Sequence, residues 1–334
     1  MRLHFALCLG SLLCLASQAP ASPGPKGNSA QASYKTKKAV LQTQRLARQG
    51  HAEAQYALGL MRYHGKGLPK NFKEARRWFL KAAAQNHVNA QYNLGVMADR
   101  GEGGPQNFKQ AVAWYKKAAA QNHAKAQYNL GAAHASGEGV PRNVALAAAF
   151  YKKAAQQGHA AAQLELGLAY FHGQGLPQDF EHAQAWLRKS ASQGNAEAQH
   201  SLGVMYSNGQ GLPRSPPEAA AWFLKAANQG HAKAQFNVAL MHEKGEGVAK
   251  NLKQAAAWFE KAARQGHLKA QHNLAAAYSA GQGVPLDKVL AHVWFECAAR
   301  QGLALSTREK EKLATSMDEE ALQKARALLQ EACP

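Results

Sequence analysis

From His51 to Gly302 the chain is one 36-residue unit written seven times without insertion or deletion, with Gln at 55, 91, 127, 163, 199, 235 and 271. No other feature constrains the fold as much. A period of this size means that each unit is one supersecondary element able to bury its apolar face only against its neighbours, so the chain is expected to be a solenoid.

The unit reads as two helices and a stiff loop. Ala54 and Leu58 stand four apart on one face of the first helix. Gly59 and its equivalents at 95, 131, 167 and 203 are expected to let a neighbouring backbone approach closely. A G-x-G turn (65/67 in the first unit) ends the helix, and a Pro two residues on, at 69, 105, 141, 177, 213 and 285, bars its continuation. The second helix opens on Asn71, Asn107, Asn143, Asp179, Ser215, Asn251 or Asp287, residues that accept from the free N–H groups of a first turn, with Ser215-Pro216-Pro217-Glu218 the fullest motif. It closes on Asn86, Asn122, Gly158, Gly194, Gly230, Gly266 or Gly302, which tolerate the left-handed cap. Between them Trp78, Trp114, Phe150, Trp186, Trp222, Trp258 and Trp294 recur among alanines. They are read as core anchors that fill the wedge between repeats.

These residues carry a resemblance. The pattern A-x-A-Q-x-x-L-G, G-x-G-x-P, N/D-x-x-x-A-x-x-W-[YF]-x-K-A-A-x-Q-G resembles the Sel-one-like repeat, a relative of the tetratricopeptide repeat with a longer inter-helix loop. The resemblance implies an all-α, right-handed superhelical α/α solenoid of antiparallel helix pairs, and a role as scaffold, adaptor or regulator of protein complexes. Many exported bacterial members act at the envelope or on host surfaces. Cysteine-rich relatives linked to penicillin binding suggest a hydrolase as a further alternative, but their paired cysteines are missing here, since the repeats contain one cysteine in all.

The ends are read separately. Residues 1–21 have the form of a secretory signal: Arg2, an apolar run from Leu3 to Ala16, and small residues ending in Ala19-Pro20-Ala21, with cleavage after Ala21. Residues 22–36 are expected to be a disordered basic tether, 37–50 a capping helix, and 51–302 the seven repeats (51–86, 87–122, 123–158, 159–194, 195–230, 231–266, 267–302). Residues 303–334 are read as a degenerate helix pair in which Ser306-Thr307-Arg308-Glu309 forms a capping box. Cleavage lowers the net charge from +19 to about +18 and leaves Cys297 and Cys333 as the only cysteines. In an oxidising compartment such a pair is read as a disulfide pinning the terminal cap, the alternative being one buried and one exposed thiol. Periplasm or secretion is the expected location, in a Gram-negative bacterium, with no membrane span after cleavage.

Chemistry is sparse. Six of the fifteen histidines (51, 87, 123, 159, 231, 267) hold one position just after a helix end. Residues one repeat apart are separated by roughly 8–10 Å, whereas zinc ligands lie about 2 Å from the ion, so a capping role is expected and no metal or other cofactor. No nucleophile elbow, phosphate loop or H-E-x-x-H motif occurs, and no catalytic residue is assigned.

Two surfaces remain as candidates. Lys81, Lys117, Lys153, Lys189, Lys225 and Lys261 recur once per unit. They are either a solvated stripe whose stems cover alanines or a multivalent anion-binding track. On the first helices, Tyr56, Tyr92, Tyr128, His200, Phe236 and His272 occupy one position, and Asn93, Asn129, Asn237 and Asn273 the next. This row suits peptide recognition, unless its aromatics pack between neighbouring helices. The favoured function is a non-catalytic exported scaffold binding a protein or peptide. The alternative is a module for an anionic glycan or lipid headgroup, and nucleic acid is disfavoured by export.

Overall fold

The computed structural model describes residues 28–333. The signal segment 1–21 and residues 22–27 of the expected tether lie outside the described residues. Seventeen helices, and no strand, occur among the described residues: α1 (Asn28–Arg48), α2 (Ala52–His64), α3 (Phe72–Ala84), α4 (Val88–Arg100), α5 (Phe108–Ala120), α6 (Ala124–Ser136), α7 (Val144–Gln156), α8 (Ala160–His172), α9 (Phe180–Ser192), α10 (Ala196–Asn208), α11 (Pro216–Asn228), α12 (Ala232–Lys244), α13 (Leu252–Ala263), α14 (Leu268–Ala280), α15 (Lys288–Arg300), α16 (Ala304–Ala314) and α17 (Glu319–Ala332). No helix among the described residues is long and apolar enough to cross a membrane.

The chain divides into two compact units after Asn143. In the first, α2 packs with α3 and α4 with α5 as antiparallel pairs, and α1–α2, α3–α4 and α5–α6 contacts stack them. In the second, α8–α9, α10–α11, α12–α13 and α14–α15 form the pairs, each packed on the helix that precedes it, and both α16 and α17 pack against α15.

Helix ends follow the cap residues. Asn71, Asn107, Asp179, Asn251 and Asp287 each accept a hydrogen bond from the backbone N–H three residues on, and Asn86 and Asn122 take left-handed φ of 60°. Ser215 departs from this pattern. It makes no side-chain cap bond, and the preset φ of Pro216 and Pro217 at the first helical positions starts α11 instead. The terminal capping box is likewise corrected. Helix α16 begins at Ala304 with Leu303 as its cap, so Ser306 lies inside it, fully buried, with its Oγ 2.9 Å from His272 Nδ1. Helix α1 also reaches back to Asn28, into the stretch read as tether. Beyond Gly27 no Gly or Pro interrupts Ala30, Gln31, Ala32 and Lys35, all good helix formers.

The core ring is one residue later than expected. Phe79, Tyr115, Leu187, Phe223 and Phe259 are buried, whereas Trp78, Trp114, Trp186, Trp222 and Trp258 are half-buried and only Trp294 is fully inside. Gly59, Gly95 and Gly203 make room for the inner ring. A Cβ at Gly95 would stand 2.5 Å from the Tyr115 ring, so the close approach is to a side chain of the second helix, not to a neighbouring backbone. The half-buried indoles still do wedge work: Trp78 packs on Val40, Leu58 and Met61, and Trp114 on the Phe79–Met97 cluster. Fully burying a ring such as Phe79 or Phe259 stabilises by roughly 1.5–3 kcal/mol.

The repeated glutamine belongs to this frame. Gln55, buried, donates from Nε2 to the carbonyl of Ala47 (3.2 Å) and accepts from Gln85 Nε2 (2.9 Å). Gln163, Gln199, Gln235 and Gln271 repeat both contacts. Each thereby pairs its buried amide with a carbonyl in the last turn of the preceding helix, one that also accepts from the backbone N–H three residues on, as a buried polar group must to offset its desolvation.

Candidate binding surface

The row on the first helices is built into the stacking. Tyr56 lies against the ring of His87 with centroids 4.4 Å apart, Tyr92 against His123 at 4.6 Å, His200 against His231 at 4.8 Å, and Phe236 against His267 at 4.6 Å. In every case the first-helix aromatic of one repeat is covered by the histidine that opens the next. Five of the six histidines expected to cap do so, whereas His51 occupies the cap position of α2 without a side-chain bond. The Nδ1 atoms of His87, His123, His159, His231 and His267 accept from the backbone N–H three residues on.

The outward nitrogen of the cap finds a partner that sequence reasoning missed. His87 Nε2 stands 2.9 Å from Glu53 Oε2, and His231 Nε2 stands 2.8 Å from Glu197 Oε2. In the same place His123 meets the amide oxygen of Asn89 at 3.2 Å. The hydrogen bonds from His87 and His231 hold the Glu53 and Glu197 carboxyls below their ordinary range. Burial pushes the phenols of Tyr56 and Tyr92 up. Burial, then repulsion from Glu197, raises the carboxyl of Glu165.

The candidate partner residues Tyr56, Tyr92, Asn93, Tyr128, Asn129, His200, Phe236, Asn237, His272 and Asn273 are all half-buried. The amides run beside the aromatics: Asn237 Nδ2 is 3.3 Å from His200 Nε2. The strip is therefore ordered in advance, with ring edges and amides as what it can offer a ligand.

Glu197, His200 and His231 offer ligand atoms within 4.8 Å of one another, closer than the repeat spacing had suggested. The donor set does not fit a metal ion. Since His231 Nδ1 takes the Ala234 N–H at 3.1 Å, the ring proton sits on Nε2, the atom aimed at Glu197, and a cation would have to displace it.

The lysines hold a second arrangement. The ammonium groups of Lys81, Lys117, Lys189, Lys225 and Lys261 lie 4.0–4.4 Å from the ring centres of Trp78, Trp114, Trp186, Trp222 and Trp258, and Lys153 lies 5.7 Å from Phe150. The ammonium groups thus lie over rings of their own helices, five of them indoles, while the lysine side chains stay exposed. At the seventh place in this column stands Cys297, buried, with its Cα 5.5 Å from that of Cys333 and the two sulfurs brought together.

The Sel1 repeat pattern matches residues 52–87, 88–123, 124–159, 160–195, 196–231, 232–267 and 268–303, one residue later than the frame read above. The chain is similar to a Sel1 repeat protein from Oxalobacter formigenes, at 30% identity and TM-score 0.69, over 92% of this chain and 85% of that one. It is also similar to c5321, a protective antigen of uropathogenic Escherichia coli with an SLR fold, at 27% identity and TM-score 0.60, over 89% of this chain and 79% of that one. No curated protein matches. Seven matched repeats cover most of the sequence, and the chain belongs to the Sel1 repeat family.

Proposed function

We propose that this chain is an exported, non-catalytic scaffold that binds a protein or peptide along the exposed edge of its first helices. Sel1 repeat proteins are in general protein-interaction scaffolds. The observation that carries the reading here is the covered row: Tyr56, Tyr92, His200 and Phe236 are each fixed by the next repeat's histidine. A ligand meeting them orders little, so less of the contact energy is lost to entropy. Export rests on the signal-like residues 1–21, and the description of a similar E. coli protein as a protective antigen supports an accessible location. A disulfide between Cys297 and Cys333 suits the same compartment.

The second reading is an anion-binding module, favoured by the exposed lysines held over indoles in five of the seven repeats and by the +19 charge. Pull-downs from cell-envelope extract at low and high salt separate the two. Retention of one protein partner at high salt, lost on replacing Asn93, Asn129, Asn237 and Asn273 by Ala, supports the scaffold; binding that vanishes with salt supports the anion module. Recovery of nothing at low salt ends the scaffold reading. Amino-terminal sequencing of the processed protein checks cleavage after Ala21.

A further inference from the structure

After the second glycine of six of the seven inter-helix loops stands an aliphatic residue: Leu68, Val140, Leu176, Leu212, Val248 and Val284, every one half-buried. Leu68 packs on the cluster containing Leu58 and Met61, Leu212 on that containing Leu187 and Met205, and Val248 on that containing Met241. In the second repeat the same place holds Gly104, exposed, and a cavity of about 200 Å³ opens there. Its apolar lining is Met97 and Ala98, both buried, with Pro105; its polar lining includes Arg76, Glu102 and Gln110.

The backbone does not need this glycine. Gly103, one residue earlier, has φ of +73° and would drive a Cβ to 2.6 Å from the Phe72 carbonyl oxygen, whereas Gly104 lies outside the left-handed region and its Cβ would meet nothing within 4 Å. A leucine would therefore fit, and the other six loops show the size and chemistry of what the space takes. Charge narrows the occupant further. The Glu102 carboxylate accepts from the Tyr63 hydroxyl at 2.6 Å, and Glu74 is paired with Arg62. Arg76 meets only the neutral amide of Gln110, at 3.4 Å, and forms no ion pair among the described residues.

We propose that the space beside Gly104 is a docking site for a leucine- or valine-sized side chain of a partner peptide, with an adjacent carboxylate of that peptide paired to Arg76. The peptide completes in trans the contact that Leu68, Leu212 and Val248 make in cis. This inference rests on the scaffold reading and gives it a specific anchor.

The probe is a fluorescein-labelled peptide, Gly-Ser-Asp-Leu-Glu-Ser-Gly, titrated onto the full chain by anisotropy, with methionine-methyl NMR as a positional readout. The Met97 methyl signal should shift while those of Met61, Met205 and Met241 stay in place. Exchanging the peptide's Leu for Gly should weaken binding roughly tenfold or more. Gly104→Leu, with Gly104→Val as the smaller alternative, should abolish binding in a chain whose thermal midpoint is unchanged or raised, and Arg76→Gln should weaken it.

Equal binding to Gly104→Leu, indifference to the peptide's Leu, a silent Met97 methyl, or no binding up to about 1 mM overturns the proposal. So does self-association that Gly104→Leu removes, which would assign the slot to a second copy of the chain. A partner recovered from envelope extract by both wild type and Gly104→Leu would leave the scaffold standing and remove this anchor from it.

Discussion

The imidazole of His200 lies against that of His231 with centroids 4.8 Å apart, where other repeats place Tyr56, Tyr92 or Phe236 against the same cap. Burial, followed by the repulsion of His231, lowers the His200 pKa from 6.5 to about 4, with Glu197 opposing and Lys233 assisting. Above pH 6.5 neither the folded nor the unfolded chain protonates this ring. Between 6.5 and about 4 the unfolded chain binds a proton that the folded chain refuses, so stability falls as pH falls through that window. Glu197, whose pKa the His231 hydrogen bond lowers, acts in the same direction at the acid end. His200→Phe should remove the first part, leaving a thermal midpoint that drops by several degrees less between pH 7 and 4.5 than in wild type. Parallel pH profiles of the two proteins would sink the assignment.

Gly95 faces Tyr115 so closely that an added Cβ would lie 2.5 Å from two ring carbons. Gly95→Ala should destabilise by about 1–3 kcal/mol through overpacking, against a helix-propensity gain of roughly 1 kcal/mol. In the sixth and seventh repeats the same place is Ala239 and Ala275, both fully buried near Phe259 and Phe295. There the reverse change, Ala239→Gly, should also destabilise. Urea unfolding of the two variants checks the opposite fits, and a neutral Gly95→Ala would show that the ring moves aside freely.

This pair also shows where the sequence stopped being legible. Helix starts and stops within the repeats were readable because caps are local: Asn71 and Gly65 answer to atoms within a few residues. The choice between Trp78 and Phe79 as the inner ring is not local. Adjacent helix positions differ by about 100°, both border the apolar stripe, and what admits Phe79 is the missing Cβ of Gly59, twenty residues earlier. The Glu53–His87 contact joins residues 34 apart and emerges only when neighbouring repeats are laid in register. Gly104 was visible all along as the one gap in a column of Leu and Val, but a gap acquires meaning only once Leu68 and Leu212 are seen to be packed.

Lys225 and Lys261 hold their ammonium groups 4.0 Å from the ring centres of Trp222 and Trp258. At such exposed sites the contact contributes roughly 0.5–1 kcal/mol. Lys225→Met should therefore cost less than 1 kcal/mol in urea, keeping the stem over the indole, and should change tryptophan emission measurably. Lys225→Ala should cost more, since the stem is lost as well. Equal costs for both would mean that the charge, not the cover, matters.

Cys297 takes the place that Lys261 holds one repeat earlier, and it points inward because the terminal helix α17 covers it: Ala325 and Leu329 pack with Trp294, Phe295 and Cys297 in one buried cluster. A bond to Cys333 closes a loop of sequence separation 36, which in chain-entropy terms stabilises by about 3–4 kcal/mol. In a solenoid that contribution stays local, because each element contacts only its neighbours. Replacing both cysteines by Ser should therefore loosen α16 and α17 while leaving the helices of the first unit as protected as before, measured by amide hydrogen exchange. Mass mapping of non-reduced peptides should recover the Cys297 and Cys333 peptides as one species. Two free thiols in the non-reduced protein, or uniform loss of protection along the chain in the double variant, would remove the pin at the end of this stack.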